Sequence, residues 1–388
     1  MNFNESTQAK EIRNAVQKVC SQFDDNYWAE KDDTGTFPEE FVAAITQGGW
    51  LGIAMPTEYG GAGLGIREAV ILAHTIARSG AGMSGASAVH LNLFGPNPIV
   101  VFGNERQKER FLPPLIKGED RACFGVTEPD AGLNTTRLST RAVRDGDNYI
   151  INGRKMWTTT AQTATKILLI VRTTDIEDCD KPTDGLSLFY TNLDRNSIEV
   201  RMIPKMGRAA VDSNALFIDD LVVPVSDRIG EEGAGWKYLL HGLNPERILI
   251  AAESVGLGQL ALERASNYAR ERVVFDRTIG KNQAIQHPLA VNWMELESAM
   301  LMVNHAASMY DAGKPCGAEA NSAKYLAAEA GYKACHRAVL THGGMGYARE
   351  YHVERYLREI MIPVIAPISQ ELIKSYIAEQ VLGQEKSY

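Results

Sequence analysis

The period of the apolar residues switches twice along this chain, and that switch restricts its fold more than any other feature. Residues 1 to about 120 read as helical: Ile12, Val16, Val19 and Phe23, spaced by four, three and four, form one apolar stripe. A further helix is expected to open at Thr36-Phe37-Pro38-Glu39-Glu40, where proline and acids suit a first turn. From about 122 the texture is strand-like. Stretches 167–171, 186–190, 216–218 and 221–223 have strand lengths, and Asn152-Gly153, between apolar runs, predicts a hairpin turn. After Gly235 the helical period returns. Asn244-Pro245-Glu246-Arg247 offers an N-cap, a first-position proline and a first-turn acid, and more helices are expected over 283–312, 318–341 and 368–382. Helices, then strands, then helices predict an α+β protein: a helical domain over 1–121, a β domain over 122–232 and a second helical domain over 233–388.

Charge and motif content narrow the function. Forty Lys and Arg against forty-eight Asp and Glu leave a net charge of −8, which disfavours a nucleic-acid partner. The five cysteines are scattered with no CxxC pair, and the eight histidines never take a ligand spacing, so no metal site is expected. Gly61-Ala62-Gly63-Leu64-Gly65 lacks the strand context of a dinucleotide fingerprint, and neither GxxxxGK[ST] nor GxSxG occurs. The opening Met1-Asn2-Phe3-Asn4-Glu5-Ser6 lacks the marks of a signal peptide, and no apolar run nears the ~18 residues of a membrane span. Cytoplasmic location without membrane insertion is the expectation.

Phe124-Gly125-Val126-Thr127-Glu128-Pro129-Asp130-Ala131-Gly132 closely resembles the TEPxAGSD segment of the acyl-CoA dehydrogenase family. Other stretches fit the same family in the same order: Pro56-Thr57-Glu58-Tyr59-Gly60-Gly61, Asn152-Gly153-Arg154-Lys155-Met156-Trp157-Thr158-Thr159, Lys205-Met206-Gly207-Arg208, Arg272-Val273-Val274-Phe275 with Gln283-Ala284-Ile285-Gln286, and His342-Gly343-Gly344-Met345-Gly346-Tyr347. The resemblance spans essentially the whole chain. It implies a helical N-terminal domain, a middle β-barrel or sandwich and a C-terminal four-helix bundle.

The resemblance also implies FAD, held without a dinucleotide fingerprint. Phe124, Val126 and Thr127 would line the isoalloxazine, Trp157 would cover a ring edge, and Thr159 would donate near flavin N5. Gly132 would let backbone approach a phosphate, with Leu133 beside it. Arg272, Phe275, Gln283, Gly343 and Gly344 would reach the adenine and pyrophosphate of a neighbouring subunit's FAD, so a homotetramer built as a dimer of dimers is implied. Arg272 taken alone, without the resemblance, reads rather as a solvated cation at a helix end. Ser369 and Glu371 are further expected cofactor contacts. Two departures from the family pattern, Leu133-Asn134 for Ser-Asp and Leu340 for a glutamine, each remove a hydrogen bond worth ~1 kcal/mol.

The implied chemistry is α,β-dehydrogenation of an acyl-CoA, with electrons passed to electron-transfer flavoprotein. Most family members draw the base from an IYEGT-like segment near the C-terminus, where this chain has Pro367. A minority resembling isovaleryl- and long-chain-type enzymes place it in an LxxER helix, matched here by Leu243-Asn244-Pro245-Glu246-Arg247. Glu246 is therefore the expected base and Arg247 a substrate-positioning cation. A bland alternative makes Glu246 a first-turn acid that serves the helix dipole, and a helix start beside Arg247 would also depress its pKa. Rival readings are a flavin oxidase or monooxygenase on the same fold, and a flavin-binding scaffold without catalysis.

Overall fold

A computed structural model describes residues 6–387; the stretch 1–5, read above for a targeting signal, lies outside the described residues. The first third is helical: α1 (Thr7–Cys20), α2 (Asp25–Thr34), α3 (Glu39–Gln47), α4 (Ile66–Ile76), α5 (Gly82–Phe94), α6 (Asn97–Phe102) and α7 (Glu105–Ile116). Strands follow: β1 (Ala122–Gly125), β2 (Arg141–Asp145), β3 (Asn148–Thr159), β4 (Lys166–Arg172), β5 (Leu186–Asn192), β6 (Ile198–Met202), β7 (Ser213–Pro224) and β8 (Arg228–Ile229). The last part holds α8 (Gly235–Glu271), the short hairpin β9 (Val273–Val274) and β10 (Arg277–Thr278), then α9 (Gln283–Asp311) and α10 (Gly317–His342). Short α11 (Gly344–Tyr347), α12 (Val353–Glu359), α13 (Met361–Ile365) and α14 (Gln370–Gln380) close the chain. The expected α+β architecture of helical, sheet and helical domains is what forms.

The sheet runs β6-β7-β3-β2-β4-β5-β8, with β1 added in parallel to β4. Alternation along β4 sorts the side chains. Ile167, Leu169 and Val171 face the sheet's own core with Tyr149 and Phe189, while Leu168 and Ile170 face the helices with Phe111 and Leu239. One strand thus belongs to two cores and ties the β domain to both helical domains.

Two local expectations fail for physical reasons. Asn152-Gly153 does not turn; it lies inside β3 at a register shift against β7. Asn152 is occupied by a reciprocal pair of hydrogen bonds to Asp220 (2.8 and 2.9 Å), and a Cβ at Gly153 would sit 2.6 Å from Thr140 Oγ1. Glycine is needed there for close approach, and the true hairpin turn falls at Gly146, φ +59°, between the paired Asp145 and Asn148.

The second failure matters more. No helix starts at Asn244: α8 begins at Gly235 and runs unbroken for 37 residues with Pro245 inside it. Proline forfeits one backbone hydrogen bond. Burial of Ile248, Leu249, Ala251, Ala252 and Val255 offsets that loss, since every one is fully buried. Asn244, expected as a cap, instead accepts from Arg247 Nη1 at 2.9 Å.

The stretch 353–380 is apolar and long enough by composition to cross a bilayer. It is, however, split into α12, α13 and α14, and its Arg355 and Glu359 are buried together against α5.

Candidate active site

β1 and β3 bring the first group of expected residues together. Met156 N donates to Thr127 O at 2.8 Å, so the segment after β1 lies along β3. Beneath them a buried ion pair acts as a brace: Lys155 Nζ donates to Glu128 Oε1 (2.9 Å), Val126 O (3.2 Å) and Ile170 O (2.7 Å). Burial alone would push the Glu128 carboxyl up, but Lys155 and hydrogen bonds from Thr140 and Ser139 hold it well below the carboxylate range. Neither Glu128 nor Lys155 was singled out from sequence, although both stand inside the quoted motifs.

Above this brace the register of β3 slips between Lys155 and Thr158. Trp157 takes φ +61° and leaves its indole 55% exposed. A large aromatic residue held in the left-handed region and turned to solvent is costly without an occupant. Thr158 Oγ1 is buried with no partner, and Thr159 Oγ1 is met by Arg208 Nη2 at 3.4 Å. Phe124, Val126 and Thr127 are each half-buried beside this indole-bearing bulge, and Gly132 and Leu133 are exposed at the loop that follows.

Helix α5 runs behind that face and carries a polar stripe. Ser84 donates to Glu359 Oε1 (2.7 Å), Ser87 accepts from Arg208 Nη1 (3.0 Å), and His90 Nδ1 lies 3.0 Å from Glu253 Oε1. The stripe ends on Phe94, whose ring lies 5.2 Å from His90 and 5.4 Å from Phe124. Through α5, therefore, strand β1 is linked by packed rings and a hydrogen bond to α8.

Glu246 stands on α8, seven residues and two turns before Glu253, on the same helical face. It is half-buried and far from the helix start, so the dipole explanation is removed. Burial pushes its pKa up to about 7, and Glu253 pushes the same way, while His90 and Arg247 pull it down. Arg247 is half-buried, and its Nε is buried without a hydrogen-bond partner. Pro367, on the loop before α14, is exposed and carries no proton-accepting group.

The second group lies on the surface of the C-terminal helices. Tyr268, in the last turn of α8, stacks on His342 at 4.3 Å, which joins the end of α8 to the end of α10, just before the Gly343-Gly344 turn. Arg272 and Gln283 are exposed, Phe275 is 93% exposed at φ +52°, and a Cβ on Gly343 or Gly344 would meet nothing within 4 Å. Ser369 is committed as the N-cap of α14, accepting from Leu372 N at 3.2 Å, and Glu371 pairs with Lys374 at 2.7 Å.

These features fit a flat group with a charged tail. The exposed indole suits a ring system, and open glycines on the same surface as an exposed arginine suit a pyrophosphate. A small cavity of about 110 Å³, lined by Leu93, Asn97 and Tyr310 among others, lies off the end of α5. A larger concavity of about 550 Å³ on the β domain, lined by Arg110, Lys166 and Asp227, contains none of the expected residues.

Comparison with known proteins bears on the whole chain. Residues 6–119, 123–221 and 233–382 match the N-terminal, middle and C-terminal domains of acyl-CoA dehydrogenases. The chain is 35% identical to the acyl-CoA dehydrogenase FadE12 of Mycobacterium tuberculosis over 100% of its own length and 99% of the relative's. It is 33% identical to the caffeyl-CoA reductase-Etf complex subunit CarC of Acetobacterium woodii, covering 91% and 92%. The solved butyryl-CoA dehydrogenase of Megasphaera elsdenii superposes with a TM-score of 0.93 at 28% identity, covering 98% of this chain and 100% of that one.

Proposed function

This chain belongs to the acyl-CoA dehydrogenase family, and from that premise we propose that it α,β-dehydrogenates an acyl-CoA thioester with Glu246 as the base. The enzyme is an acyl-CoA dehydrogenase-type flavoprotein whose cofactor is FAD. One observation carries the choice of base: Glu246 is a half-buried carboxyl raised to about 7, while the C-terminal alternative is Pro367. A general base works best with its pKa near the operating pH.

When bound, FAD supplies the acceptor for the hydride that leaves the substrate's β carbon. The chain's own residues do the rest. Glu246 takes the α proton, which thioester conjugation makes acidic, and its half-buried seat withholds water that would stabilise the carboxylate. Arg247, a cation adjacent to the base, orients the acyl-CoA. Phe124, Val126, Thr127 and Trp157 hold the ring system, Thr159 offers a hydroxyl, and Gly132 with Leu133 borders the tail. Ser369 and Glu371 rank below these as contacts, because both side chains already have local partners.

Arg272, Phe275, Gln283, Gly343 and Gly344 complete a neighbouring subunit's cofactor site, which requires a dimer at minimum; the family's usual dimer of dimers makes a homotetramer the working unit of this reading. The relative named for an Etf complex supports electron-transfer flavoprotein as acceptor. A cytoplasmic location completes the reading.

The test is anaerobic bleaching of the yellow enzyme by butyryl-, isovaleryl-, octanoyl- and palmitoyl-CoA, followed by reoxidation with electron-transfer flavoprotein or with air. Bleaching and fast reoxidation by the flavoprotein alone are expected. Fast reoxidation by air would favour the oxidase reading, and no bleaching by any thioester would favour the scaffold.

A further inference from the structure

Glu253 has no part in the reading above, yet its burial calls for a reason. The side chain is fully buried, Oε1 meets His90 Nδ1 at 3.0 Å, and Oε2 has no partner. Glu246 and Glu253 project from one face of α8 two turns apart, and two carboxylates sharing a buried face oppose each other's ionisation. His90 comes from a different helix, α5, and its ring is fixed edge-on against Phe94 at 5.2 Å, which in turn meets Phe124. The hydrogen bond to Glu253 uses Nδ1 and leaves Nε2 as the ring's other polar atom.

The charged groups around this point are few. His90 of α5, with Arg247 and Glu253 of α8 itself, act on Glu246. Arg208, from the loop between β6 and β7, acts on Glu253 and bonds Ser87 one turn before His90. A histidine clamped by a buried carboxylate has its ring orientation fixed by that bond.

We propose that His90, clamped at Nδ1 by Glu253, is a positioning residue for Glu246: it cancels the repulsion of the second carboxylate and holds the base ionised toward the substrate. This rests on the reading of Glu246 as the base. Removing the imidazole alone exposes Glu246 to an uncompensated Glu253. Removing both members of the pair restores the balance of charge.

The experiment measures kcat/KM against pH for flavin-loaded wild type, His90→Gln, Glu253→Gln with His90→Gln, and Glu246→Gln, using whichever of the named CoA thioesters bleaches wild type fastest. His90→Gln is expected to move the acid limb upward by about one pH unit or more, and the double variant to bring it back toward wild type. A purely structural role for His90 would lower activity or melting temperature without moving the limb, and the second substitution would not reverse the effect. His90→Asn replaces His90→Gln if the latter fails to retain flavin. An unmoved limb in a folded His90 variant, with Glu246→Gln inactive, overturns this inference alone. Full turnover by Glu246→Gln overturns the reading of the base beneath it.

Discussion

Glu246 illustrates how far a single residue could be read from sequence. Its identity as a candidate base rested on the LxxER resemblance and on proline at position 367, both visible in the chain. Its environment was misjudged, because a proline after asparagine looked like a helix start. With α8 running from Gly235, the dipole that would depress the carboxyl is absent at Glu246, and burial pushes it up to about 7. Activity should therefore climb as pH rises through about 7 and fall away on the acid side, which a kcat/KM profile checks. Stability should run the other way. An unfolded carboxyl titrates near ~4.3, so between that value and about 7 the native state holds the extra proton and stability declines as pH rises. Thermal melts should accordingly show Glu246→Gln melting above wild type at about pH 8, with the gap closing near about pH 4.5. Equal melting points at the higher pH would deny that Glu246 is raised. His90 and Glu253 escaped the sequence reading, and Arg208 entered it only as the end of a family motif with no role attached. They lie far apart in the chain, and only the packing of α5 against α8 assembles them.

At the level of elements, the proposed cofactor face depends on braces beneath it rather than on the strands alone. Lys155 bridges the Val126 carbonyl, Glu128 and β4, and so fixes the height of the β1 segment over β3. Lys155→Met should leave Glu128 buried and unpaired, at a cost of about 3–5 kcal/mol in urea unfolding, and Lys155→Met with Glu128→Gln should regain much of it. A loss below about 1 kcal/mol for the single variant would mean that water enters to solvate Glu128. A comparable brace joins α12 to α5, where Glu359 accepts from Ser84 and pairs with the buried Arg355. Periodicity revealed the long elements well: 283–312 and 318–341 correspond to α9 and α10 within a few residues. The Asn-Gly pair misled because a β-bulge and a hairpin turn ask for the same residues, and only the strand pairing separates them.

For the molecule as a whole, the two switches in apolar period were enough to anticipate helical, sheet and helical domains. What they could not convey is how β4 serves two cores at once, because that depends on which residues meet across 60 or more positions, as Phe111 and Tyr190 do. The two groups of proposed cofactor residues lead to a test of assembly. Mixed oligomers of Arg272→Ala and Glu246→Gln subunits should regain activity that neither parent has, because one site per mixed pair then combines an intact base with a neighbour's intact arginine. Absence of recovery in verified mixed oligomers would place Arg272 in service of its own subunit. All of this depends on Glu246, and the most direct check is anaerobic flavin bleaching by the CoA thioester panel in wild type and in flavin-loaded Glu246→Gln. Bleaching of wild type alone is the predicted result; equal bleaching of both would contradict the account.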